Sequence, residues 1–216
     1  MSETRLERLS LIQHHGGPTR LLDFTESFYI AAFFAIEKAE KDAAIWALDG
    51  WKLAERVAAK TSLCWPPNTK DELNRAHVNL VEGYLTGDRE GESLVVSATP
   101  PVSNERRRIQ QGVFVVPCNS GLSFVENLES AFGLESGIIK GEMESPEHDF
   151  TSETEEDICA ASIIKIILPR KGFLHRDALM DLNRMNVNAA SLFPGLDGFA
   201  RHLHHQVRVL ETRPFR

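Results

Sequence analysis

The sequence predicts an α+β fold, a single mixed domain over residues 1–216 built around a buried central helix. Three observations lead there. Helical and strand-like segments are mixed irregularly, without a regular βα alternation. The run Phe28–Ile36 is apolar on every side, which marks a helix enclosed by other elements. Ile163–Leu168 is rich in β-branched residues and fits a central strand. With 42% apolar and 25% charged residues in 216, the chain can bury a core without staples. That balance excludes collagen-like, coiled-coil and wholly disordered chains.

The elements follow in order. Leu6, Leu9 and Ile12 at helical spacing predict a helix over 3–14, which Gly16-Gly17-Pro18 ends. Thr19–Thr25 is a short extended or turning segment. Ser27 caps a second helix running to about Lys41. Ala43–Leu48 is a strand closed by Asp49-Gly50, and Trp51–Lys60 a helix carrying Leu53, Val57 and Ala58. After the loop Pro66–Thr69, the stripe Leu73, Ala76, His77, Leu80 and Tyr84 predicts a helix ending at Gly87, with His77 in the core. Leu94–Ala98 and Val113–Val116 read as short strands, and 122–132 as a helix. Arg176–Met185 is helical, Val187–Phe193 a short helix, and Gln206–Glu211 an alternating strand or fraying end.

Net charge is 24 − 31 = −7, but nine acids against one base lie between Leu134 and Asp157. The remainder holds 23 bases and 22 acids, so the acidity is one local feature and 137–158 is expected to be a mobile acidic loop. No charge pattern signals nucleic-acid binding, and no apolar run has the length to span a membrane. Met1–Arg8 lacks the apolar block of a signal peptide. Cys64, Cys118 and Cys159 are scattered without a CxxC spacing. A cytoplasmic location is the expectation.

Chemistry concentrates in Gln13–Ser27 (QHHGGPTRLLDFTES), where a carboxamide, two imidazoles, a guanidinium, two carboxylates and three hydroxyls surround a Gly-Gly-Pro turn. Polar groups so near a core need partners or a ligand. Asp23 pairing with Arg20, and Thr25 or Ser27 capping the helix, would satisfy them structurally. His14 either fixes the turn through hydrogen bonds or serves as an acid/base. His202, His204 and His205 form an HxHH string without an apparent fourth ligand, so no metal site is expected. Arg106-Arg107-Arg108 reads as a charged loop or helix end, or as a contact for phosphate, RNA or an acidic partner.

The block resembles the signature of the FRG domain family, QHxGxPTRLLDWT followed by Ser and an Ala-rich helix ending in FA. Gln13, His14, Gly16, Pro18 to Asp23, Thr25, Ser27, Ala32, Phe34 and Ala35 fall on that pattern. Arg108–Phe114 (RIQQGVF) and Leu192–Gly198 (LFPGLDG) resemble two further blocks of the family, in the same order. The family is named for a Phe/Tyr-Arg-Gly motif upstream of the QH block, and no such tripeptide precedes Gln13 in this sequence. Its activity is not agreed.

The block TRLLDFTESFYIAAFFA also resembles, loosely, the second motif of arginine–serine–glutamate ADP-ribosyltransferases, which implies nicotinamide dinucleotide (NAD) as a cofactor. Such a site must hold a diphosphate, orient a ribose and stabilise an oxocarbenium-like centre. The resemblance thus implies His14, Asp23 and Thr25 as catalytic candidates. Gln13, Arg20, Ser27, Arg108, Gln111 and Asp197 are the ligand-binding candidates. Two function classes remain open, an NAD-using transferase or hydrolase and a non-catalytic module that binds a small nucleotide or a protein partner. Without the upstream arginine, little or no NAD turnover is expected.

Overall fold

The computed structural model describes residues 4–89, 91–101, 105–134 and 162–211, with the backbone alone over 205–211. The fold is α+β. In chain order the elements are α1 (Arg5–His14), β1 (Leu22–Thr25), α2 (Phe28–Ile36), β2 (Ala43–Leu48), α3 (Gly50–Thr61), α4 (Lys70–Thr86), β3 (Val95–Ala98), α5 (Glu105–Ile109) and β4 (Gly112–Pro117). They continue with α6 (Phe124–Phe132), β5 (Ile163–Leu168), α7 (Leu174–Arg184), α8 (Ala189–Leu192) and α9 (Leu196–Glu211). The acidic stretch 137–158 and Cys159 lie outside the described residues. The chain forms two compact units, each assembled from three separated stretches.

Unit 1 comprises Met1–Asp23, Ala47–Val102 and Phe114–Ile164. Thr4 and Glu7 form a reciprocal capping box at the start of α1. The Glu82 carboxylate of α4 accepts from the Arg5 and Leu6 amides at 3.1 and 2.7 Å, donors that a helix start leaves without partners. Asp49 accepts from the Trp51 and Lys52 amides, so the Asp-Gly pair read as the close of β2 opens α3 instead. Thr69 caps α4, and Gly87 ends it at φ +81°. β3 pairs antiparallel with β4, Val95 opposite Pro117 and Ala98 opposite Phe114. Val95 and Val96 are both fully buried, because α3, α4 and α6 lie against β3.

His77 of α4 is buried as the sequence predicts, and its Nδ1–H donates to the Ser97 carbonyl at 2.8 Å. Its Nε2 is shut off from solvent without a hydrogen-bond partner among the described residues. Burial pulls the His77 pKa below its ordinary value, and the Ser97 bond opposes that only in part. The unfolded chain therefore takes up a proton at a higher pH than the folded one. Stability from this residue is complete above the unfolded pKa of about 6.5 and is lost as pH falls through the depressed folded value. Urea unfolding at neutral and mildly acidic pH should show a smaller acid loss for His77→Asn, which keeps a donor to Ser97. An equal loss in both proteins would refute the assignment.

Unit 2 comprises Phe24–Trp46, Ser103–Val113 and Lys165–Arg216. α2 buries Ile30, Phe33 and Ile36 against Leu182 of α7 and Ala189 and Leu192 of α8. The expectation of an enclosed helix is corrected here: Phe28, Tyr29 and Phe34 are 52%, 53% and 41% exposed. One layer of helices covers one stripe and leaves the other open. α2 also stops at Ile36, short of Lys41, where Arg170 binds the Ala39 carbonyl and the Asp42 carboxylate and turns the chain into β2. Among the described residues β5 pairs with β2 alone, and Ile167 is half exposed, so it is not the central strand that the sequence predicts. Gln206–Glu211 continues α9, in place of the strand or frayed end that the sequence predicts.

Candidate functional site

The Gln13–Asp23 stretch belongs to unit 1. α1 ends in a Schellman motif: the Gly17 amide donates to the Ile12 carbonyl and the Gly16 amide to the Gln13 carbonyl, both at 2.9 Å. Gly16 takes φ +81° there, and a Cβ on Gly17 would stand 2.5 Å from Ile12 Cγ2, which explains the glycine pair. Thr19 Oγ1 donates to Gln13 Oε1 and accepts from the Leu21 amide. Gln13 and Thr19 thus brace the turn, and Leu21 anchors it in the core at 5% exposure. His14 is half-buried, its ring edge-on to His15 at 5.1 Å.

Arg20 and Asp23 are placed differently. Arg20 is half-buried, Asp23 is exposed, and among the described residues neither side chain makes a hydrogen bond or ion pair. The Arg20–Asp23 pair weighed from sequence is not formed. The Arg20 and Arg89 guanidiniums both act on the Cys118 thiol in the direction of ionisation. Burial wins nonetheless: with Glu92 adding to it, the Cys118 pKa is pushed up to about 12, so the thiol is inert at neutral pH. Arg89 also lies over the Tyr84 ring at 5.8 Å. The Tyr84 hydroxyl is buried without a well-formed hydrogen bond among the described residues, and burial, with Cys118 and Glu92, pushes its pKa up to about 12. Two cationic side chains and one carboxylate thus surround a buried thiol and phenol, leaving one net positive charge.

Phe24–Trp46 belongs to unit 2. Thr25 Oγ1 donates to the Gln110 carbonyl at 2.8 Å and accepts from the Ser27 amide at 3.1 Å. Ser27 Oγ accepts from the Ile30 amide as the cap of α2. Gln110 Nε2 donates to the Leu192 carbonyl at 3.0 Å, so Gln110 links one residue from each of the three sequence blocks. Gln110, not the predicted Gln111, makes that link. Gln111 sits at φ +48° with its side chain exposed; its amide donates to the Arg108 carbonyl, and its carbonyl accepts from the Glu26 amide.

The arginines divide in the same way. Arg108 is exposed, whereas Arg107 is buried at 8% exposure, its stem against Gly112. Arg106 and Arg201 lie 4.5 and 4.3 Å from the Phe193 ring centroid, and Arg201 forks onto the buried Glu37 carboxylate. Asp197 is exposed in the first turn of α9. Sequence reading named none of Gln110, Glu37, Phe193 and Arg201 as a site residue. The one local sign was Glu37 itself, an acid closing a wholly apolar helix. Among the described residues no group of three or more His, Cys, Asp or Glu is arranged to hold a metal ion.

The FRG domain family model matches residues 1–44, the stretch that holds α1, β1, α2 and the Gln13–Ser27 block. The second and third blocks lie beyond the match. No curated protein and no solved structure matches the chain. No helix among the described residues is long and apolar enough to cross a membrane.

Proposed function

We propose that the chain binds an anionic small molecule on unit 1, a nucleotide carrying a diphosphate such as NAD. Arg20 and Arg89 would contact phosphate, and Asp23 would accept from a ribose hydroxyl. The supporting observation is Arg20: five N–H donors in a half-buried position with no hydrogen bond among the described residues. Planar, permanently charged guanidinium is suited to phosphate oxygens. Thr25 and Ser27 lend no such support, because backbone groups occupy their hydroxyls. A reducing compartment is consistent with the free thiols of Cys64 and Cys118.

Titration calorimetry with NAD and with ADP tests the reading. Arg20→Ala should weaken binding about 10- to 100-fold, the worth of one charge-assisted hydrogen bond of about 1.5–3 kcal/mol. No binding of either ligand, or binding untouched by the substitution, would end it.

ADP-ribosyl transfer is the second reading, and the exposed carboxylate of Asp23, unpaired among the described residues, is what favours it. There the carboxylate would face the anomeric carbon as the nicotinamide bond breaks. Nicotinamide release that Asp23→Ala abolishes would establish transferase or hydrolase chemistry. Dinucleotide binding without release would leave a binding module.

A further inference from the structure

One buried side chain of unit 1 has a polar tip that the fold itself does not use. Tyr84 lies in the last turn of α4 at 8% exposure, and its hydroxyl is shut off from solvent. Arg89 and Glu92 both act on the phenol, yet neither completes a well-formed hydrogen bond with it among the described residues. A buried hydroxyl in that condition carries the cost of desolvation with nothing in return. Phenylalanine would fill the same place in the core without that cost.

Arg89 lies over this phenol. Its amide donates to the Gly83 carbonyl at 3.1 Å, and its stem packs on Gly83, where a Cβ would stand 3.0 Å from Arg89 Cδ. The side chain is exposed, and its guanidinium is 5.8 Å from the Tyr84 ring centroid, near the outer limit of about 6 Å for such a contact. A charge-assisted hydrogen bond to phosphate is stronger than an exposed cation–π contact at that range. A phosphate can therefore draw the guanidinium off the ring and uncover the phenol. Arg20 acts on the Cys118 thiol from the turn after α1, and Cys118 acts on the phenol, so both arginines and the hydroxyl belong to one cluster. Glu92 offsets one of the two positive charges, which leaves the cluster attractive to an anion.

We propose that the Tyr84 hydroxyl is a third phosphate contact, donating to a phosphate oxygen that Arg20 and Arg89 also hold. This contact rests on the nucleotide reading given above. Phosphate suits the set because the two guanidiniums and the phenol all offer donors, and phosphate oxygens only accept.

Calorimetric titration of the full chain with pyrophosphate, ADP and NAD tests the contact. Tyr84→Phe should weaken all three by about 10-fold or more, the worth of a hydrogen bond to a charged acceptor. Urea unfolding of the ligand-free variant should show a midpoint no lower than that of the parent chain, because the hydroxyl has no bond to lose. Tyr29 and Tyr84 are the two tyrosines, so a Tyr29→Phe chain leaves Tyr84 as the single tyrosine chromophore. Pyrophosphate, which is transparent in the near ultraviolet, should then produce a tyrosine difference spectrum that Tyr84→Phe abolishes. A lowered midpoint would mark the hydroxyl as structural and overturn the inference. Unchanged affinities would overturn it too, as would a loss confined to ADP and NAD, which assigns the hydroxyl to the nucleoside. In each of these cases the nucleotide reading survives, whereas a parent chain that binds none of the three ends both.

Discussion

Gly198→Ala is expected to cost about 3 kcal/mol or more, the upper end of overpacking penalties. Gly198 lies in the first turn of α9, and a Cβ built there would stand 1.8 Å from the Phe193 carbonyl oxygen and 2.8 Å from that of Ala189. Both obstacles are backbone, so no side-chain rotation relieves them. Either α9 moves outward by more than an ångström or the end of α8 moves inward. The second route disturbs Ala189 and Leu192, which close the core of unit 2 with Ile30, Phe33 and Ile36. The first route separates Arg201 from Glu37. Urea unfolding should show a lowered midpoint. Gly195→Ala is the control: its φ of +106° is strained for alanine, but no atom stands within 4 Å of its Cβ position. Strain alone should cost about 1–2 kcal/mol. A Gly198→Ala loss no larger than that of Gly195→Ala would show that the close approach carries no weight.

Caps and turns were legible because their chemistry is local. Thr69 and Gly87 bound α4 where the sequence puts them, and β2 spans Ala43–Leu48 as predicted. What failed depends on neighbours distant in the chain. An all-apolar helix carries no signal for which side is covered, so the open face of Phe28, Tyr29 and Phe34 could not be foreseen. A β-branched run identifies a strand but not its place in a sheet, which was the error at Ile163–Leu168. Val207 and Val209 alternate like strand residues, yet the helix that begins at Leu196 runs through them to Glu211.

The site divides along the same line. Gln13, Arg20 and Asp23 could be named from one dense segment. Gln110 and Gln111 are adjacent and chemically identical, and only the left-handed backbone at Gln111 decides which amide reaches Leu192. Glu37 and Arg201 are 164 residues apart. Nothing in either one's surroundings announces the other.

Arg201→Ala should therefore be nearly as damaging as the glycine substitution, although it creates no clash. The Glu37 side chain is 3% exposed, and both of its oxygens accept from the Arg201 guanidinium, Nε and one terminal nitrogen forming a fork. The same guanidinium covers the Phe193 ring, so its loss also uncovers apolar surface. Removing the cation takes from a buried carboxylate the guanidinium that both of its oxygens accept from, and breaking a buried pair in this way typically costs about 3–5 kcal/mol. The cost arises from the carboxylate left behind rather than from the pair itself. Adding Glu37→Leu to Arg201→Ala should then recover much of the loss, because an apolar side chain needs no partner. Chemical unfolding of both single variants and the double variant gives the coupling between the two sites. If the double variant is as unstable as the sum of the singles, the fork contributes only packing, and Glu37 is held by other groups.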